Sequence, residues 1–109
     1  MQISSPEFTN NQKIPSKFTC NGVNYNPLLI FSGVPREARS LVLIVDDPDA
    51  PVGTWVHWVV YNISPSVKEV KEKSVPQGGI EAVTSFGKPG YGGPCPPSGT
   101  HRYFFKLYA

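Results

Sequence analysis

Ser40-Leu41-Val42-Leu43-Ile44-Val45-Asp46-Asp47-Pro48-Asp49-Ala50-Pro51 sets five successive aliphatic residues against an acidic turn stiffened by two prolines. A strand with no polar alternation is apolar on both faces, so it belongs in the middle of a sheet and covered on both sides. Ser40 to Asp46 is therefore expected as a central strand. Thr54 to Ile63, which contains Trp55-Val56-His57-Trp58-Val59-Val60, reads the same way, and Arg102 to Tyr108 is a third strand rich in aromatic residues. Shorter strands are expected near Phe18-Thr19, Leu28 to Phe31 and Val83 to Ser85. Twelve prolines and ten glycines in 109 residues interrupt nearly every window long enough for an amphipathic helix. The sequence thus predicts an all-β fold, a sandwich or closed barrel with long ordered loops.

Residues 1–109 are enough for a single domain with one core. The formal charge of +2 is too small and too evenly spread for a nucleic-acid footprint. The only local charge cluster, Lys68 to Lys73, is mixed in sign and reads as a solvated turn or short helix. The longest apolar run, Trp55 to Tyr61, is far too short to span a bilayer, and the first residues carry neither a basic start nor an apolar signal core. The expectation is a cytoplasmic protein without integral membrane association. In that compartment Cys20 and Cys95 are expected as thiols.

Asp47 and Asp49 follow a buried strand directly on a turn whose prolines fix φ, which makes them candidates for the wall of a site. Their alternative is a purely local role, capping backbone amides of the turn. Strict alternation puts His57 on the face of Trp55, Val59 and Tyr61, where it is either a functional imidazole or a hydrogen-bonded core residue. His101 opens the last strand and shares a face with Tyr103 and Phe105. The intervening loop contains Gly90-Tyr91-Gly92-Gly93-Pro94-Cys95-Pro96-Pro97-Ser98-Gly99. The backbone N–H groups of Gly92, Gly93 and Cys95 are candidate anion donors, with a structural loop packed by Tyr91 as the alternative. The spacing is not that of a nucleotide-binding P-loop, and nothing resembles a GxSxG elbow or the usual zinc-ligand spacings. No metal, no cofactor and no catalytic residue is expected.

The strings DPDAP (47–51), GTWVHWVVYNI (53–63) and KPGYGGPCPPSGTHRYFFKLYA (88–109) resemble signature segments of the phosphatidylethanolamine-binding-protein family, in its bacterial and archaeal Raf-kinase-inhibitor-like branch. Ser5-Pro6-Glu7-Phe8, Ile14-Pro15, Cys20-x-Gly22-x-Asn24 and Gly33-Val34-Pro35 add weaker likeness in the N-terminal half. The resemblance implies a Greek-key β-sandwich with a small cavity at one end for phosphate, phosphorylethanolamine or a similar anion. On the matching positions Asp47 and Asp49 are the two acids of the turn and Trp55 and His57 the pocket-lining aromatic and histidine. Pro97 is the wall proline of the second loop, His101 and Tyr103 follow it, and Arg102 is structural. Two departures stand out: Asn26-Pro27-Leu28-Leu29-Ile30-Phe31 replaces a Ser-Pro-Pro-Leu-x-Trp pattern, and Thr84 stands where an asparagine is common. The chain also stops at Ala109, where relatives continue with helices. The expectation is a domain lacking the usual C-terminal helical segment, with an apolar face covered by a homodimer partner or by further chain.

Three functional readings follow. The first is a non-enzymatic, regulatory binding module with an anion pocket, in which Asp47 orients a histidine and the two histidines, Tyr103 and the loop amides hold the anion. The second is an inhibitor of a kinase or serine protease that acts through surface loops. The third is a weak hydrolase using Cys95 or Ser98 as nucleophile.

Overall fold

A computed structural model describes residues 1–9, 12–51, 53–95 and 101–109. Seven strands and one 3-10 turn follow in order: β1 (Gln2–Ser4), the turn Ser16–Phe18, β2 (Leu29–Ser32), β3 (Leu41–Asp47), β4 (Trp55–Ile63), β5 (Glu69–Val70), β6 (Ile80–Glu81) and β7 (Phe104–Tyr108). They form two antiparallel sheets, one ordered β1-β2-β5 and the other β6-β4-β3-β7. The three strong strands of the sequence lie side by side in the larger sheet, with β3 in its interior between β4 and β7. Among the described residues no helix is long and apolar enough to cross a membrane.

The core lies between the sheets. Leu29 and Phe31 of β2 and Val70 of β5 face Leu41, Leu43 and Val45 of β3 and Trp58, Val60 and Ile63 of β4. Alternate residues of a strand share a face, so Leu41, Leu43 and Val45 form one buried row. Val42 and Ile44 on the opposite face are only half-buried, so β3 is central in its sheet but fully covered on one side alone. On that outer face Val42 pairs with Tyr108 and Asp46 with Phe104, and both aromatic residues are exposed.

Besides the one-sided cover of β3, four sequence expectations change. Phe18 ends a 3-10 turn instead of starting a strand, because Phe18 and Thr19 N–H groups close back on Pro15 and Ser16 carbonyls. Val83 makes only an isolated bridge to Pro89. The Lys68–Lys73 segment contains β5, whose Val70 is buried in the core. Cys20 and Cys95 form a disulfide with Cα atoms 5.4 Å apart, so they are not thiols.

Strand β4 carries two register shifts against β3. Leu41 pairs with Ile63 but Leu43 with Val60, so β4 holds an extra residue there, and Asn62 takes the left-handed conformation with φ 60°. Val45 then pairs with Trp58 while Asp46 pairs with Val56, which makes His57 the extra residue of a second bulge. This second bulge positions the site.

Candidate functional site

Because of the bulge at His57, the residues on either side of it change phase. Trp58 pairs with Val45 on the core face, and Trp55 pairs with Asp47 on that same face, while Val59 pairs with Ile44 on the outer one. The expected common face for Trp55, His57, Val59 and Tyr61 is therefore broken, and Trp55 and Asp47 instead extend the core row to the end of the sandwich. A bulge inside a strand is a recurrent means of redirecting one side chain beside a site.

Asp47 sits at that end with its side chain 4% exposed. Its Oδ1 accepts the Asp49 N–H at 2.8 Å, the local turn bond, and its Oδ2 lies 2.7 Å from His101 Nδ1. A carboxylate oxygen accepts, so His101 Nδ1 carries the proton and Nε2 is left as the ring's remaining polar atom. The His101 side chain is itself 9% exposed. Its ring stacks on Tyr103 with centroids 6.4 Å apart, and the Tyr103 ring meets His57 edge-on at 5.5 Å. The Tyr103 hydroxyl is buried and has no hydrogen-bond partner among the described residues. Burial, with the carboxylates of Asp47 and Asp49 adding to it, pushes the Tyr103 phenol up to about 12.

His57 is buried, and Nδ1 lies 2.7 Å from the Gly92 carbonyl, which fixes that nitrogen as the N–H donor. Burial pushes its imidazole below the ordinary histidine value, against the opposing effect of the Gly92 carbonyl. The ring also meets Phe86 edge-on at 5.5 Å, and Phe86 in turn packs edge-on against Trp55. Phe86 belongs to this group, although the sequence marks it only as lying two residues after the Thr84 departure and assigns it no role.

The other acid behaves differently. Asp49 accepts from the Arg102 backbone N–H at 2.8 Å and from the guanidinium Nε and Nη2 at 2.9 Å each. Those guanidinium and backbone hydrogen bonds hold its carboxyl down to about 2. Asp49 therefore ties the turn to the start of β7. Next to it on the outer face, Asp46 Oδ2 accepts from Lys106 Nζ at 2.8 Å, and that bond raises the lysine.

At two of the three positions expected, Gly92 and Gly93, the glycine loop does not present a free amide. Gly92 N–H donates to the His57 carbonyl at 3.0 Å and Gly93 N–H to Asn24 Oδ1 at 2.7 Å. A Cβ on Gly92 would collide with the Phe86 ring, and one on Gly93 with the Phe18 carbonyl and the Asn24 side chain. The glycines are there for close approach. Tyr91 packs edge-on against Trp58 and donates its hydroxyl to the Phe18 carbonyl at 2.8 Å. Cys95 is in the disulfide, which removes it as a nucleophile; Pro97 and Ser98 lie outside the described residues. An open groove of about 1070 Å³ between the N-terminal segment and β7 reaches this end, with His101 and Tyr103 in its lining alongside Ile3, Phe8, Leu29 and Phe105. Among the described residues no three His, Cys, Asp or Glu side chains form a group that could hold a metal ion.

Two antiparallel sheets packed face to face, closed at one end by a histidine–carboxylate pair and a bulged histidine, define the class of structure. The family model of phosphatidylethanolamine-binding protein matches residues 4–109, and the chain belongs to that family. It is 47% identical to the UPF0098 protein of Methanothermobacter thermautotrophicus, with all of this chain covering 76% of that protein. It is 46% identical to the UPF0098 protein of Chlamydia trachomatis, covering 75% of it. The crystal structure of a Chlamydia trachomatis phosphatidylethanolamine-binding-protein homologue superposes with a TM-score of 0.93 at 46% identity, covering 98% of this chain and 72% of that one. Escherichia coli YbcL superposes with a TM-score of 0.91 at 34% identity, covering 99% and 75%.

Proposed function

We propose that the end of the sandwich formed by Asp47, Trp55, His57, His101 and Tyr103 binds a small phosphate-bearing ligand without turning it over, and that the protein is a regulatory binding module. The observation that carries this reading is the 2.7 Å bond between His101 Nδ1 and Asp47 Oδ2. With Nδ1–H held by the carboxylate, protonation of the ring adds an N–H at Nε2, and the buried Asp47 charge balances the imidazolium beside an anion. The buried Tyr103 hydroxyl adds a donor without a partner among the described residues, a group whose desolvation costs about 1–3 kcal/mol until a ligand satisfies it. His57 supplies a different function. Its Nδ1–H goes to Gly92 and burial favours the neutral ring, so Nε2 is an acceptor suited to the P–OH of a phosphate monoanion.

The five residues named include no serine, threonine or cysteine nucleophile, and Cys95 is held in the disulfide. The acids of the site are held by Arg102 and His101, which fits binding better than hydrolysis. The family name, phosphatidylethanolamine-binding protein, supports a phosphate ester over other anions. Calorimetric titration with inorganic phosphate and O-phosphorylethanolamine at pH 6 and pH 8 tests the reading. Binding is expected to be tighter at the lower pH and to be lost in His101→Ala and weakened about tenfold in Tyr103→Phe, the worth of one hydrogen bond. Absence of binding by the folded wild type at both pH values would refute the pocket and favour inhibition of a kinase or serine protease through surface loops.

A further inference from the structure

The segment Tyr91 to Cys95 is a strap across the site, and every residue of it is fastened. Gly92 holds His57 twice, by its N–H to the His57 carbonyl and by its carbonyl to His57 Nδ1. On the other side the strap is tied to the turn 18–24. Tyr91 Oη donates to the Phe18 carbonyl, Gly93 N–H to Asn24 Oδ1, and Cys20 N–H to the Pro94 carbonyl. The Cys20–Cys95 disulfide is the covalent member of this set. It pins the chain at a point between the two histidines, three residues after Gly92 and six before His101. Gly93 and Pro94 are buried, yet Cys20 and Cys95 are both exposed at the surface. A disulfide in solvent is open to thiol exchange without prior unfolding of the domain.

We infer that the Cys20–Cys95 disulfide is a redox-operated latch that holds His57 in its binding tautomer and so sets the ligand affinity of the site, an inference that rests on reading that site as the ligand pocket. The reductant is a dithiol. Its thiolate attacks one sulfur of the disulfide to give a mixed disulfide, and its second thiol displaces the protein sulfur. The protein gains two electrons and two protons as two thiols, while the dithiol is oxidised to its own disulfide. With the covalent tie gone, the strap is held to the 18–24 turn by exchangeable hydrogen bonds alone. Local opening of such a segment then releases Gly92 from His57 without unfolding the sheets.

The experiment compares oxidised protein with protein reduced by dithiothreitol, the two thiols being verified by alkylation and mass. Two readouts are taken: affinity for inorganic phosphate by calorimetry, and the ligand-free imidazole nitrogens by long-range ¹H–¹⁵N correlation. Oxidised protein is expected to show a single Nδ1–H tautomer for His57, and reduced protein a mixture of tautomers with phosphate affinity about tenfold lower. Reoxidation restores both. Asn24→Gly, which removes the tie to Gly93 and tolerates the left-handed φ of 64° at that position, is expected to move the His57 signals in the same direction with the disulfide intact. Unchanged His57 signals and unchanged affinity in fully reduced protein would overturn the latch, and so would unfolding of the whole domain on reduction. If neither redox state binds phosphate, the pocket reading fails, and the His57 tautomer alone then decides the latch: a shift on reduction supports it and no shift overturns it.

Discussion

Replacing both cysteines by serine isolates what the disulfide contributes to the fold. The bridge closes a loop with a sequence separation of 75 residues, which spans β2 through β6 and therefore both sheets. The chain-entropy relation for a loop of that length gives a loss of about 4.5 kcal/mol at 25 °C when the constraint on the unfolded chain is removed. Domains of this size are stable by about 5–15 kcal/mol in all, so the double variant should still fold but with a much smaller margin. Urea denaturation followed by tryptophan fluorescence reads the difference. With a slope of about 1.5 kcal/mol/M, the midpoint of Cys20→Ser/Cys95→Ser should fall by about 3 M relative to the oxidised wild type. A fall of less than about 1 M at equal slope would refute the reasoning. It would mean that the unfolded chain is already held close between residues 20 and 95 by residual structure.

Leu43 is fully buried between Val60 of β4 and Leu107 of β7, and Leu43→Ala should cost about 2–5 kcal/mol in the same urea assay. Trp58, 1% exposed, donates its indole N–H to Glu81 Oε2 at 2.7 Å; Glu81→Ala should cost about 1–3 kcal/mol, and Glu81→Gln, which keeps an acceptor, clearly less. The Arg102 guanidinium and backbone hydrogen bonds hold the Asp49 carboxyl down to about 2, below its unfolded value of about 4, so its contribution is present above the unfolded value and is lost as the pH falls toward about 2. Carboxyl ¹³C shifts should place the Asp49 midpoint there in the wild type and move it upward in Arg102→Ala; an unmoved midpoint would rule the guanidinium out as the cause. His57 is lowered by burial, so between its folded value and about 6.5 the unfolded chain binds more protons and stability rises with pH. The urea midpoint of the wild type should therefore drop as the pH is lowered from 7.5 to 5.5, and His57→Gln should show a smaller drop.

The fold was legible where the hydrophobic pattern is strong. Leu41 to Val45, the Trp55 to Ile63 run and the aromatic Phe104 to Tyr108 are the three adjoining strands of the larger sheet, each within a residue or two of its expected bounds. Of the short strands, the one expected at Leu28 to Phe31 is β2, Leu29–Ser32, while β5 and β6 were not legible, for a physical reason. Glu69–Val70 and Ile80–Glu81 are two residues long, too short for any alternation to register, and each is defined by its pairing with a longer strand, β2 or β4. Phe18-Thr19 looked like strand material because an aromatic residue precedes a β-branched one. The burial of Phe18 is achieved from a 3-10 turn, and β1, Gln2–Ser4, alternates only once about Ile3, too briefly to stand out.

The residues of the candidate site were named from the sequence as types without their geometry, and the bulge in β4 explains the difference. A two-residue period applied from Trp58 assigns Trp55 to the outer face; the extra residue at His57 reverses that and brings Trp55 opposite Asp47, on the row that begins with Leu41. The bulge arises because β4 is fastened to different partners on its two sides. Toward β3 it must keep Val60 against Leu43 and Trp58 against Val45 in the core. On its other edge Val56 N–H donates to Ser85 Oγ, Ser85 N–H to the Val56 carbonyl, and Gly92 N–H to the His57 carbonyl. Those bonds bind the strand to the loop that follows β6. One extra residue reconciles the two registers, and the residue at that position leaves the ladder to β3, which allows its side chain to be governed by the loop. His57 is held by Gly92 because it is the bulge, while His101 is held by Asp47 because Asp47 is the last member of the core row. The two imidazoles are thus fixed by independent parts of the fold, one through the redox-sensitive strap and the other through the sheet itself. Reduction of the disulfide should accordingly disturb His57 and leave the His101–Asp47 pair in place.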